Sequence, residues 1–170
     1  HPKTSGTDGD CSVDPPLFVE VIGPSVLSAG DSVRLRISLG TPAIPANQAY
    51  GAALSIEYNL PVLQSQVRRN MSNSWLYGNM GGPPQAMSMV RHIDSAQRID
   101  VAITRINQQP AMAGSGEIGT IIVIIDDNLS GKTASIEDLV FNIGSGQAVS
   151  ASGQEFSTCL KGDTAKIDIS

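Results

Sequence analysis

Few residues of this 170-residue chain have types and spacing that could do chemistry. The sharpest pattern is DDNLSGKTASIE. Read from Asp126 it runs D-x-N-x-S-G-x-x-x-x-x-E, with Asp126, Asn128, Ser130 and Glu137 as oxygen donors and Gly131 at the turn. That is the spacing of a calcium loop, in which a terminal carboxylate completes the shell. Such a loop belongs between helices, however, and this one joins two strand-like runs. Thr133 also stands where an apolar residue normally packs. The competing reading is a polar hairpin loop turned by residues 128–131. Asp8-Gly9-Asp10 counts out worse: Val13 falls where the loop needs Gly and Val19 where it needs Glu, so this run reads as linker.

Catalytic constellations are no better supplied. His92-Ile93-Asp94 places an imidazole near a carboxylate, but a triad also needs a nucleophile activated by that base beside an oxyanion hole. No G-x-S-x-G elbow occurs, and the GSG runs at 114–116 and 144–146 read as turns. His92 reads as a lone exposed histidine beside a hairpin turn. The carboxylates Glu20, Glu57, Glu117, Glu137 and Glu155 sit singly, without aromatic neighbours that would form sugar platforms. The chain holds one Trp, three Tyr and three Phe, too few to line a polysaccharide cleft. The expectation is a non-catalytic protein.

The one indole, Trp75, lies with Tyr77 in NSWLYGNMGGPPQAM, among Asn, Gly, Pro and Met. Two roles compete. The rings form a small exposed platform for a sugar or a partner, or the loop folds back and Trp75, with Leu76, plugs an open end of the fold. Gly and Pro neighbours allow the sharp turns that the plug needs. Truncating a buried Trp costs on the order of 3–5 kcal/mol, and a core short of rings would use that.

Net charge is −5, and no cationic cluster exceeds the pair Arg68-Arg69. Nucleic acid requires a run or face of cations, so it is rejected as a partner. No apolar run reaches the length of a membrane span, so membrane insertion is not expected. The two cysteines, Cys11 and Cys159, have neither C-x-x-C nor histidine spacing for zinc. They are two free thiols or one disulfide. A bridge would need the two terminal strands side by side, would close a long loop worth roughly 5 kcal/mol, and would imply an oxidising compartment.

The elements that would position these residues are strands. SAGDSVRLRISLG alternates, with Val33, Leu35, Ile37 and Leu39 on one parity and Arg34, Arg36 and Ser38 on the other. In AYGAALSIEYNLPVLQS, Ala52, Leu54, Ile56 and Tyr58 face one way and Gly51, Ala53, Ser55 and Glu57 the other. Val62-Leu63 begins a further short strand. AMSMVRH and RIDVAITRI form a pair around IDSAQ, with Ile99, Val101 and Ile103 inward. GEIGTIIVIIDD is apolar at consecutive positions and β-branched, which predicts a strand covered on both faces. No helical stripe of useful length occurs. Strands punctuated by 17 Gly and ten Pro predict an all-β sandwich spanning 17–170, after an N-terminal arm of 1–16.

The order and texture of LSAGDSVRLRISLG, AYGAALSIEYNLPVLQ and GSGEIGTIIVIIDD resemble three successive patterns of the cohesin domain, a receptor module of cellulosome scaffoldins and related surface proteins. The resemblance implies a nine-stranded β-sandwich in jelly-roll topology with first and last strands adjacent and parallel, the adjacency that a Cys11–Cys159 bridge requires. It implies an extracellular or cell-surface module that binds a protein partner, a calcium-loaded dockerin, on one flat sheet face. Typical members of the first type carry Asn and Asp on the exposed parity of the third strand, where this chain has Gly51 and Ala53. The remaining candidates on that face are Ser55, Glu57, Arg98, Asp100 and Thr104. The alternative function is a carbohydrate-binding or purely structural surface-adhesion module, with polysaccharide contacting Trp75 and Tyr77.

Overall fold

Each period-two run becomes a strand in the computed structural model, which describes residues 10–77, 86–106, 112–127, 129 and 136–169. In chain order these are β1 (Pro16–Ile22), β2 (Val26–Leu27), β3 (Ser32–Leu39), β4 (Ala46–Ala49), β5 (Gly51–Tyr58), β6 (Arg68–Asn70), β7 (Ala86–Ile93), β8 (Arg98–Arg105), β9 (Met112–Gly114), β10 (Gly116–Ile124), β11 (Ile136–Val149), β12 (Glu155–Phe156), β13 (Cys159–Lys161) and β14 (Asp163–Asp168). Two single 3-10 turns cover Trp75–Tyr77 and Asp94–Ala96. The segments divide the chain more finely than the nine long strands expected, and they form a sandwich of jelly-roll type.

One sheet has the order β13-β1-β3-β10-β6. The other runs β2-β14-β11-β5-β8-β7, with β12 beside β11, and β4 and β9 form a small ribbon. Both chain ends change sheets. β1 runs parallel to β13, and its continuation β2 runs parallel to β14 in the opposite sheet. The neighbour of β1 is therefore the short β13, not the last strand. The crossing from β13 to β14 passes through Gly162, where any Cβ would overlap the carbonyl oxygen of Phe141. Cys11 and Cys159 are bonded, their Cα atoms 5.0 Å apart, next to the Pro16–Cys159 pair of the parallel ladder.

The core lies between the two inner faces. Val33, Leu35, Ile37 and Leu39 of β3 are fully buried against Ile56, Ile99 and Phe141 of the other sheet's strands. This is the division that alternation dictates: one parity leaves water, at about 25 cal/mol per Å² of apolar surface, and the other stays in it.

Four expectations change. β10 is covered on one face only: Ile121 and Val123 are buried, whereas Ile122 and Ile124 point outward and are half-buried. Of the outward pair, Ile122 sits in register between Arg34 and Arg68, and Ile124 opposite Ser32. The segment after β10 is not a hairpin loop, because β10 and β11 belong to different sheets. The GSG at 144–146 is no turn: it lies within β11, where a bulge between Ile143 and Ser145 shifts the register against β5. Val62-Leu63 contributes a single bridge, Leu63 to Ile125, rather than a strand.

Candidate functional site

The outer face of β11-β5-β8-β7 is a grid of side chains in register across four strands. One row reads Gln147, Ala53, Ala102, Met89, and the next Ser145, Ser55, Asp100, Arg91. On one side lies the row Val149, Gly51, Thr104, Met87, and on the other Asn142, Glu57, Arg98, Ile93. The five residues singled out in the sequence, Ser55, Glu57, Arg98, Asp100 and Thr104, thus share one face on two adjacent strands. The centre of the grid is small and its margins are long. Ala53 and Ala102 floor a depression of about 580 Å³ flanked by Met89 and Gln147. Met87 and Met89 are 57% and 66% exposed, on an edge strand whose other parity faces inward.

Asp100 organises the polar end. Its Oδ1 accepts hydrogen bonds from the Ser55 hydroxyl at 2.7 Å and from Arg98 Nε at 3.0 Å. Its Oδ2 lies 3.7 Å from Arg91 Nη2. Glu57 folds over Gly144, occupying the space that a Cβ would need there. Gly51 is covered as well: a Cβ would lie 2.9 Å from the Ile103 carbonyl oxygen and 3.2 Å from the Thr104 side chain.

The remaining candidates separate from this face. Trp75 is half-buried: its indole N–H donates to the Gly116 carbonyl at 3.0 Å, and the ring lies 3.3 Å from where a Gly114 Cβ would stand. The 3-10 turn carrying it packs on β10 of one sheet and on β7 and β8 of the other, with Leu76 fully buried. The buried Arg105 donates to the Leu76 carbonyl at 2.6 Å and fixes the turn from below. This is the plug arrangement. The Tyr77 side chain is outside the described residues. His92 is not a free surface histidine, because on β7 it takes the inward parity. Its Nδ1 lies 3.0 Å from the Ser65 carbonyl, which can only accept, so in the neutral ring Nδ1 carries the proton and Nε2 accepts from the Tyr58 hydroxyl at 2.6 Å. Burial, and secondarily the charge of Asp94, pushes the Tyr58 phenol up to about 12.

Of the calcium-loop pattern, Asp126 lies just beyond β10, with its N–H donating to the Val62 carbonyl at 2.7 Å, and Glu137 is the second residue of β11. Asn128, Ser130 and Gly131 are outside the described residues. Among the described residues no group of three or more His, Cys, Asp or Glu side chains gathers that could hold a metal. No helix among them is long and apolar enough to cross a membrane.

No family model and no curated protein matches the sequence. Solved structures do match the fold. A chain of the Coh-OlpC–Doc435 complex from Clostridium thermocellum, a type I cohesin–dockerin complex, superposes with a TM-score of 0.66 at 13% identity over 99% of both chains. The cohesin module of a family 33 glycoside hydrolase from Clostridium perfringens gives 0.61 at 10% identity, covering 92% of this chain and 98% of its own. A type II cohesin domain from the cellulosome of Acetivibrio cellulolyticus gives 0.58 at 10% identity over 91% and 95%. The chain has the cohesin fold. Within that fold the grid departs from the pattern expected on the third strand: Gly51 has no room for a side chain, and Ala53 floors the depression.

Met87, Met89 and Arg91 were not singled out from sequence. AMSMVRH has apolar residues on both parities, so alternation alone does not say which side faces water. A weaker signal was present: a strand ending in Arg-His beside a tight turn, with two methionines spaced like the arginine.

Proposed function

We propose that this cohesin-fold chain is a non-catalytic interaction module that binds a protein partner of dockerin type through the outer face of β11-β5-β8-β7. The observation that carries the reading is the pair Met87 and Met89, exposed on a flat, in-register face with a depression at its centre. Burying a Met side chain contributes about 1.5–3 kcal/mol, so an isolated face leaves that stabilisation unused. The face is built on paired strands and needs little ordering to bind, which lowers the entropic cost of association. The Clostridium thermocellum match, a chain of a cohesin–dockerin complex, supports the same class of partner. The Cys11–Cys159 bridge supports an extracellular or cell-surface setting, because such bonds persist in oxidising compartments. Trp75, held to Gly116 inside the fold, gives no support to the carbohydrate-binding alternative.

Calorimetric titration of calcium-loaded dockerin modules encoded in the same genome tests the reading. At least one should bind, and Ala53→Arg, which fills the depression, should weaken it at least tenfold. Binding that is indifferent to Ala53→Arg and to Met89→Glu would refute the assignment of this face.

A further inference from the structure

A second cleft lies apart from the sheet face. We propose that it is a binding site for a neutral saccharide, whose hydroxyls meet side-chain amides and whose apolar ring face meets Phe156. The cleft measures about 490 Å³ and shares no lining residue with the depression over Ala53 and Ala102. Three segments far apart in the chain wall it: the arm from Val13 to Pro15, the ribbon strand β4, and the turn that leads from Ser150 into β12. The inference is independent of the protein-binding role proposed above.

Each wall is held by the fold. β4 meets β9 through a bulge, in which Asn47 and Gln48 oppose a single residue. Strict alternation would turn one of the two toward the core. The bulge instead buries Ala46 and Ala49 and leaves both amides exposed. Gln48 takes a φ of +58°, a left-handed conformation uncommon outside glycine and asparagine. Backbone strain of this kind gathers at ligand sites. No hydrogen bond among the described residues engages the side-chain amide of Asn47, Gln48 or Gln154. The arm is tied down by the Cys11–Cys159 bond, by the Cys159 N–H donating to the Pro15 carbonyl at 3.0 Å, and by Asp14, which accepts the Asp10 N–H at 2.8 Å. The turn before β12 is closed by the Ser150 N–H donating to the Gln154 carbonyl at 2.9 Å.

Chemistry selects the ligand. The amides, with the hydroxyls of Ser150 and Ser157, both donate and accept, as sugar hydroxyls do. Among the described residues the lining holds two carboxylates, Asp14 and Glu155, and no Lys or Arg, so a phosphate or a uronate meets repulsion there. Phe156 is half-buried, and with Pro15 and Pro45 it offers apolar surface to the C–H face of a ring. The volume lies in the range of small-ligand sites, about 300–1,000 Å³, so the cleft takes a short oligosaccharide rather than the surface of a fibre. A single aromatic ring gives modest affinity, and the test must reach millimolar ligand.

Side-chain amide resonances provide that test. The full disulfide-bonded chain, isotope-labelled for NMR, is titrated to millimolar concentration with cellotetraose, xylotetraose, mannotetraose and chitotetraose, and with tetragalacturonate as the anionic control. At least one neutral sugar should shift the side-chain amide signals of Asn47, Gln48 and Gln154, and tetragalacturonate should leave them in place. The double variant Asn47→Ala with Gln154→Ala should bind that sugar at least tenfold more weakly while melting as the native chain does. Shifts confined to the Trp75 indole, undiminished binding by the double variant, equal binding of tetragalacturonate, or no shift with any neutral sugar would overturn the inference. A proline-rich peptide that moves the same signals where no sugar does would overturn it as well, and would give the cleft to a peptide.

Discussion

The covalent tie between the chain ends can be removed with almost no change in packing. Cys159 is fully buried, but Cys11 is exposed, so Cys11→Ser breaks the bond and leaves the buried partner a thiol in place. The bond closes a loop with a sequence separation of 148. The loop-entropy relation gives about 5 kcal/mol for a loop of that size, through the unfolded chain. Part of this returns in the variant, because residues 11–14 lie outside any strand and can fray. They are held by a local turn, in which the Ser12 N–H donates to Asp10 at 3.0 Å and the Asp14 N–H to the Asp10 carbonyl at 2.8 Å. Fraying exchanges about 1 kcal/mol per bond against recovered backbone entropy, so the expected net loss is about 3–4 kcal/mol. β1 itself should stay in place, since β3 pairs it over six residues and the Cys159 N–H donates to the Pro15 carbonyl at 3.0 Å. In urea, with a slope of about 2 kcal/mol per molar, the midpoint should fall by about 1.5–2 M, with the slope nearly unchanged. Native protein treated with reductant should reproduce the shift. Coinciding midpoints for Cys11→Ser and the oxidised protein would refute the reasoning.

Two further outcomes follow from the same geometry. Trp75→Ala removes a half-buried ring and the hydrogen bond to Gly116, and should cost about 2–4 kcal/mol in chemical melts. In the native chain Trp75 should fluoresce blue-shifted and resist iodide quenching; a red, freely quenched spectrum would overturn the plug. Tyr58 has its folded phenol raised to about 12 from 10.0, so its contribution to stability is complete below pH 10 and is lost as pH rises through about 12. Tyrosinate absorbance should show one tyrosine titrating late, and Tyr58→Phe should flatten the fall in melting temperature across that window.

The parity of single strands was legible because it is local: Ala52, Leu54, Ile56 and Tyr58 faced inward as their spacing required. Sheet membership was not, because it is settled by contacts far apart in sequence. Consecutive apolar residues in β10 suggested cover on both faces, yet only the inward Ile121 and Val123 are buried, and the outward Ile122 and Ile124 are half-buried. Gly144 read as a turn residue because glycine more often breaks strands than bulges within them, and its neighbour Glu57 is invisible to local sequence. At the candidate site, β5 and β8 could be read from alternation, while β7 could not. As an edge strand with apolar residues on both sides, it pairs with β8 alone, and only the fold shows which methionines face water.

The small residues at the centre of the grid are not empty positions. Gly51 is small because the Thr104 side chain and the Ile103 carbonyl fill its space, and Gly144 is small because the Glu57 carboxylate lies across it. Ala53 and Ala102 differ: they are in register with each other, and the depression opens above them. The face is therefore levelled in two ways, by side chains folded over glycines at its ends and by short side chains at its centre. The first places Thr104 over Gly51 and Glu57 over Gly144. The second leaves the depression open. Asp100 stands beside this centre, its Oδ1 bonded to Ser55 and Arg98 and its Oδ2 3.7 Å from Arg91. The five residues first picked out for direct contact thus do unequal work. Met89 and Arg91 of the neighbouring edge strand share their face.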